Sequence, residues 1–197
     1  MCAGSRGFSL IELLVVLGLV GVMAAMALPA ANPAVRGYRL AGDARGLAHN
    51  VSVAKMRAAA AFTRTRIHAD TAARTYWLER WNGTAWVVDG NIQNLSSGVT
   101  FGVGGLTEAP LNTQTTIGLS GPCFDTASPP AAIAGSSCIV YNSRGVPIDP
   151  ATGAAIGGNA LYITDGTAVY GTTVAATGLM TLWWSPYRTP PAWQKEQ

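Results

Sequence analysis

The chain opens on a nearly unbroken apolar run that extends from Phe8 to Leu28 and contains a single charge, Glu12. As an α-helix, these 21 residues would extend about 31 Å, which is close to the roughly 30 Å hydrocarbon thickness of a bilayer. The pattern therefore predicts a transmembrane helix over residues 8–28 that crosses the membrane once.

A second helical pattern follows two prolines, Pro29 and Pro33. Each proline removes a backbone donor and clashes with the preceding turn, so we expect a helix kink or a local break at Pro29. Beyond the prolines, apolar residues recur at spacings of four and three: Leu40, Ala44, Leu47, Val51, Ala54, Ala58 and Ala61. This single stripe predicts that residues 29–62 form the amphipathic half of the N-terminal helix, packed against a sheet.

After residue 62 the apolar period changes to two. Alternating segments are "TRTRIHAD", "RTYWLERW", "TAWVVDG", "GVTFGV", "TTIGLS", "SCIVYNS", "NALYITD", "AVYGTTV" and "GLMTLWW". Asn82 and Gly83 predict one hairpin turn, and Asp165 and Gly166 predict another. The whole pattern predicts an α+β fold, in which a long N-terminal helix packs on an antiparallel β domain of residues 63–184.

The last residues, 185–197, form a segment rich in proline and tryptophan. Its three prolines argue against a regular element, so one interpretation is an extended or disordered tail whose tryptophans dock a partner. In the other interpretation, Trp183 and Trp184 close the core and only Trp193 is exposed. The sequence leaves both open.

A short polar leader, "MCAGSRG", precedes the apolar run, whereas a secretory signal peptide has its cleavage site after such a run. The positive charge of Arg6 keeps this end in the cytoplasm and places the rest of the chain outside it. The stretch "GFSLIELLVVLGLVG" resembles the leader and first helix of type IV pilins and type II secretion pseudopilins. The resemblance implies that residues 1–7 are a leader peptide, that a prepilin peptidase cuts between Gly7 and Phe8, and that the new amino group of Phe8 is methylated. Pro29 also matches a position where these helices commonly carry proline.

Glu12 is unfavourable in a membrane, because placing an unpaired acid at that depth costs about 3 kcal/mol of free energy. The resemblance implies a partner for it: the positively charged amine that cleavage creates on Phe8 of an adjacent subunit. Because the two charges neutralise each other only when neighbouring subunits have the correct axial offset, the pair would select the register of assembly. We therefore assign Glu12 to subunit assembly.

Later segments are similar to the GspH/FimT-like group of minor pilins and pseudopilins, notably "AKMRAAAAFTRTRIHAD", "IVYNSRGVP" and "NALYITDGTAVYGTTVAATG". This similarity implies a non-enzymatic minor pilin of a type IV pilus that resides in the bacterial inner membrane, with its C-terminal domain in the periplasm, before it joins a pilus or pseudopilus. The implied partners are other pilins, the prepilin peptidase and the membrane. The alternatives are an H-class pseudopilin of type II secretion and a DNA-binding minor pilin for natural transformation.

Composition agrees with export, since 49% of residues are hydrophobic and only 12% are charged. With Cys2 in the leader, Cys123 and Cys138 remain. In an oxidising compartment we expect them to form a disulfide worth about 3 kcal/mol, the alternative being two buried free thiols. A metal site is disfavoured because no histidine or further cysteine lies near them in the sequence.

The sequence offers little support for catalytic activity or for cofactor binding. His49 and His68 have no neighbouring cysteine or paired carboxylate, and Ser120 lacks the spacing of a nucleophile elbow. We therefore expect no enzyme activity, no cofactor and no metal.

Nucleic-acid binding has a candidate set in Arg64, Arg66, Arg74 and Arg188, because tryptophans near the first three offer stacking faces. Some FimT-like pilins are implicated in DNA uptake, through arginines that follow the last hairpin. This chain has only Arg188 and Lys195 there, which disfavours DNA binding. The alternative is a solvated basic face with the tryptophans in the core.

Overall fold

The computed structural model describes residues 9–196, apart from the side chains of residues 24 and 26–33. The predicted leader, including Gly7, and Phe8 lie outside the described residues. The chain divides into two units, Met1–Tyr38 and Arg39–Gln197. One α-helix, α1 (Leu10–Ala60), contributes to both units.

The first unit contains the N-terminal part of α1. Its described apolar side chains are exposed, from Leu10 at 76% to Met23 at 70%. Within the part of the chain that the structure describes, no helical stretch qualifies as a membrane-spanning segment. The predicted span of residues 8–28 is therefore not confirmed.

The backbone remains helical through residues 29 and 33, so the local break expected there does not occur. A helix can accommodate a proline by losing one hydrogen bond and adjusting the preceding turn. The side chain of Pro29 lies outside the description, and the kink at Pro29 stays a prediction.

In the second unit, α1 buries the predicted stripe. Leu40, Ala44, Leu47, Val51, Ala54 and Ala58 are each at most 1% exposed. Ala61, the last residue of the predicted stripe, is exposed because the helix ends one residue earlier. The small alanines allow the helix to approach the sheets closely, and the stripe joins one core cluster with residues of both sheets.

The C-terminus of α1 ends in a left-handed residue, Phe62, whose φ is 50°. The amide of Thr63 donates to the carbonyl of Ala58 at 3.2 Å, which is the closing bond of a Schellman-type cap. Glycine is preferred at this position, because a left-handed conformation costs other residues about 1–2 kcal/mol. The Phe62 side chain is 85% exposed, so its packing within this chain does little to offset the cost of the left-handed conformation.

We expect Phe62→Gly to stabilise the protein by about 0.5–1 kcal/mol, because it removes the left-handed strain at the cost of a more flexible unfolded chain. Urea unfolding measures the change. Phe62→Ala is the matched control, since it removes the ring but keeps the strained Cβ. Equal stability of the two variants would contradict the strain interpretation.

Between the helix and Glu196, where the description of the chain ends, eleven strands form two antiparallel sheets. They are β1 (Thr65–Asp70), β2 (Thr75–Trp81), β3 (Trp86–Val88), β4 (Gln93–Asn94), β5 (Thr100–Phe101), β6 (Ser136–Tyr141), β7 (Pro147–Ile148), β8 (Asn159–Thr164), β9 (Ala168–Val174), β10 (Met180–Pro186) and β11 (Gln194–Lys195). The first sheet has the order β3-β2-β1-β6-β7, with β4 also paired to β2, and the second has the order β11-β10-β9-β8-β5. The predicted α+β class, with a helix packed on antiparallel sheets, is confirmed.

Most of the predicted strands and both predicted turns are confirmed. In the β2–β3 hairpin, the side chain of Asn82 accepts hydrogen bonds from the amides of Thr84 and Ala85, and Gly83 takes the positive φ that the turn needs. The strand predicted at "TTIGLS" is wrong, because residues 115–120 form no ladder there. Three strands were missed, β4, β7 and β11, since two residues are too few to show an alternation.

A long segment, residues 102–135, covers the faces of the two sheets that point away from α1. On the second sheet, Leu106 and Ile117 pack against Ala160, Tyr162 and Val169. On the first sheet, Cys123 and Ile133 pack against Val140 and Ile148. This covering explains why β8 and β9 are buried on both faces.

The C-terminal segment is ordered against the second sheet, so the expectation that its prolines prevent a regular element is wrong. Strand β11 pairs with β10, placing Trp183 opposite Lys195. Trp183 is buried, and Trp193 is half-buried with its ring NH donating to the carbonyl of Glu108 at 2.9 Å. Pro190 and Pro191 lie in the turn that returns the chain to the sheet, where no ladder bond is needed from them, and Pro186 is the last residue of β10.

Candidate functional site

The outer face of the first sheet, opposite α1, carries a group of charged and aromatic side chains. Even-numbered residues of β1 and odd-numbered residues of β2 point to this face, because successive side chains of a strand point to opposite faces of the sheet. The register places Arg66 opposite Glu79 and His68 opposite Trp77. We call the set Arg64, Arg66, His68, Trp77, Glu79, Trp81 and Trp86 the outer-face cluster.

Arg66 and Glu79 form a buried ion pair at the centre of the outer-face cluster. Their side chains are 4% and 10% exposed. The second guanidinium nitrogen of Arg66 donates to the carbonyl of Phe124 at 2.7 Å, and the ring NH of Trp77 donates to Glu79 at 2.8 Å. The pair therefore fixes both β2 and the covering segment, residues 102–135, to β1.

The pKa of Glu79 is lowered to about 2. Burial alone raises this pKa, but the neighbouring imidazole of His68, whose Nδ1 lies 3.5 Å from Glu79, the hydrogen bond from Trp77 and the charge of Arg66 outweigh it. Glu79 is consequently an anion at neutral pH, and its interactions with Arg66 are those of a full carboxylate.

Around this pair, each of two arginines lies over the ring of a tryptophan, and the two tryptophans contact each other. The guanidinium of Arg64 lies 4.9 Å from the ring centre of Trp81, and that of Arg66 lies 4.3 Å from the ring centre of Trp86. The two indoles meet edge to face at 5.4 Å. These contacts stabilise planar cations over aromatic faces and line a cavity of about 180 Å³. Since Glu79 neutralises Arg66 and Asp125 also lines the cavity, its charges are nearly balanced.

The predicted disulfide between Cys123 and Cys138 is confirmed, with 5.0 Å between the two Cα atoms. Both cysteines are buried. The bridge joins β6 to the covering segment, and the amide of Cys138 also donates to the carbonyl of Gly121 at 2.9 Å. The disulfide thus holds the cover over the outer-face cluster.

Although no histidine lies near these cysteines in the sequence, His68 lies beside them in the structure. Because β1 pairs with β6, His68 lies directly opposite Cys138. The potential ligand atoms of His68, Cys123 and Cys138 all lie within 4.8 Å of one another. The sequence separation of His68 from both cysteines concealed this cluster.

Of the candidate nucleic-acid residues, Arg64 and Arg66 line the same cavity, whereas Arg74 and Arg188 lie elsewhere. Arg66 is buried in its ion pair, whereas Arg74 is exposed in the turn after β1, about 20 Å along the strands from Arg64. Arg188 is exposed in the segment that follows β10 of the second sheet. DNA binding stays a prediction.

Of the predicted processing and assembly residues, Glu12 alone is described. It lies in the first turn of α1 and is exposed, surrounded by exposed leucine, isoleucine and valine side chains. An acid in the first helical turn is favoured by the positive end of the helix dipole.

Glu79, Trp77 and Trp86 were missed as members of a polar cluster. Glu79 reads as an ordinary solvent-facing position of an alternating strand. The hairpin register, which sets Arg66 against Glu79, was the available signal, but the burial of that face depends on the covering segment.

The structure defines an α+β protein whose first helix begins at Leu10. Residues 2–28 match a family model described as the prokaryotic N-terminal methylation motif, a type IV pilin-like prepilin signal. The match supports a protein of the type IV pilin and pseudopilin class. No curated protein and no solved structure matches the chain.

Proposed function

We propose that this protein is a non-enzymatic subunit of a type IV pilus or a related pseudopilus. The observation that carries the proposal is the methylation motif at residues 2–28, which leads into the N-terminal part of α1, where the described apolar side chains from Leu10 to Met23 are exposed. A helix that is apolar all round requires an apolar environment in place of water. Packing beside the same helix of neighbouring subunits supplies that environment in a filament.

Before assembly, the same apolar helix would hold the subunit in the inner membrane, with the β domain in the periplasm. The positive leader and the apolar run support this orientation. The Cys123–Cys138 disulfide supports an oxidising compartment for the β domain. The prepilin peptidase is the first partner in this sequence of events, and other pilins are the next.

Within this class we favour a minor pilin of the GspH/FimT-like group, on the similarity of "IVYNSRGVP" and the β8–β9 hairpin. The H-class pseudopilin of type II secretion differs in the machine it serves. Neighbouring genes separate the two: genes for further minor pilins support the pilus, and genes for a secretion ATPase and outer-membrane channel of type II secretion support the pseudopilin.

Processing tests the proposed class directly. We expect mass spectrometry of the mature chain to show an N-terminus at Phe8 with a methylated amine. Gly7→Ala should impair cleavage and Gly7→Val should impair it more, because the peptidase must fit the residue before the cut. Gly4→Ala, the same change elsewhere in the leader, should be processed normally. An intact Met1, or cleavage beyond Leu28, would exclude a prepilin.

A further inference from the structure

One cluster on the outer face of the first sheet has no part in the proposed assembly. His68, Cys123 and Cys138 are all buried, and their potential ligand atoms lie within 4.8 Å of one another. Two cysteines and one histidine supply three of the four ligands of a tetrahedral zinc site. In the disulfide form the sulfurs are bonded to each other and offer no thiolate.

The imidazole of His68 is held in place but is not satisfied. Its side chain is 9% exposed and stacks on Trp77, with 4.2 Å between the ring centres. Nδ1 makes no hydrogen bond to any residue that the structure describes, and its nearest carboxylate oxygen, on Glu79, lies 3.5 Å away. A buried polar atom without a partner is rare in folded proteins and calls for an explanation.

We propose that His68, Cys123 and Cys138 bind a thiophilic divalent ion, Zn²⁺, when the disulfide is reduced. Thiolate and imidazole are the ligands that zinc prefers, at about 2.3 Å for sulfur and about 2.0–2.1 Å for nitrogen. Glu79 lies beside Nδ1 and, in the metal-bound form, is placed to accept a hydrogen bond from Nδ1–H, which leaves Nε2 as the metal ligand. A carboxylate behind a ligating histidine is the usual arrangement in zinc proteins. Water completes the fourth position.

The exchange between the two forms balances in electrons and protons. A dithiol reductant gives up two electrons and two protons and closes to a cyclic disulfide, and the two sulfurs of Cys123 and Cys138 become thiols. Zn²⁺ then displaces the two thiol protons. Removal of two electrons from the thiolates by a disulfide oxidant restores the bridge and releases the ion. The cluster would thus hold the covering segment by metal before oxidation and by a covalent bond after it.

The test uses the full-length chain in mild detergent, reduced by a phosphine without oxygen, with Co²⁺ as the spectroscopic probe and Zn²⁺ as competitor. We expect one Co²⁺ per reduced chain, with thiolate-to-cobalt charge transfer and intense tetrahedral d–d bands that Zn²⁺ abolishes. The disulfide form should give neither signal. His68→Gln should weaken Zn²⁺ binding by at least about tenfold, since loss of a residue that merely supports a ligand already costs about that much. His49→Gln, the same change on exposed His49 of α1, should leave binding unchanged.

Three results would overturn the proposal. The first is a reduced chain that binds no Co²⁺. The second is equal Zn²⁺ affinity of His68→Gln and the unsubstituted chain, which would mean binding by two thiols alone, as in an unfolded segment. The third is binding by a Cys123→Ser, Cys138→Ser double variant. Each result is independent of processing at Gly7 and so of the proposed pilin function.

Discussion

A Glu12→Ala chain is expected to be processed at Gly7 as usual yet to be at least about a hundredfold depleted from filaments. In the proposed assembly, Glu12 meets the positive amine of a neighbouring Phe8 in an apolar environment. Removal of one partner of a buried ion pair leaves the other charge uncompensated, at a cost of about 3–5 kcal/mol. At 1.4 kcal/mol for each factor of ten, that cost corresponds to roughly two to three and a half orders of magnitude in incorporation.

The measurement is the ratio of tagged chain in sheared filaments to tagged chain in membranes, with cleavage followed by mass spectrometry. Leu13→Ala is the matched control, since it truncates the adjacent, 57% exposed side chain without changing charge. We expect it to reduce incorporation only slightly. Normal incorporation of Glu12→Ala, or equal losses in both variants, would contradict a charge-pairing role for Glu12.

The second large effect concerns Glu79. We expect Glu79→Gln to destabilise the protein by about 3–5 kcal/mol at neutral pH, because it leaves the guanidinium of Arg66 buried without its counter-charge. Urea unfolding at pH 7 measures the loss. Asp89→Asn is the control, since it removes an acid from the partly exposed ion pair with Arg57 and should cost less than about 1 kcal/mol. A loss no larger than that of the control would contradict a buried, energetically coupled pair.

The same pair predicts a pH dependence. The pKa of Glu79 falls from its ordinary 4.5 to about 2 on folding, so the folded state binds this proton less tightly than the unfolded state does. The stability that Glu79 contributes is therefore fully present above about pH 4.5 and is lost as the pH falls toward 2. The free energy of unfolding of the unsubstituted chain should fall over this pH range. The difference in free energy of unfolding between the unsubstituted chain and Glu79→Gln should become smaller over the same range. A constant difference would contradict the lowered pKa.

Much of the architecture could be predicted because it depends on local sequence patterns. The stripe from Leu40 to Ala58 has the period of a helix face, and its burial follows from that period. The hairpin at Asn82 and Gly83 depends on two adjacent residues whose backbone preferences match the turn. The disulfide also followed from the cysteine count once the leader was set aside.

The prediction failed where short elements depend on partners. Strand β11 exists because Trp183 and Trp184 offer it an edge of the second sheet, and two residues show no alternation of their own. The segment "TTIGLS" has a strand-like pattern, but only Ser120 of it bonds to β8, because the chain there crosses the face of the sheet as a cover.

By itself, the sequence determined the N-terminal methylation motif, the buried stripe of α1 and the α+β class, because each depends on residues that are close together in the chain. Only the tertiary structure decided that the outer-face cluster is buried and that His68 lies against a disulfide. Pairing of β1 with β6, and closure of the covering segment over them, bring together side chains that are distant in sequence. The charge and redox chemistry of that face therefore arises from contacts that no local sequence pattern indicates.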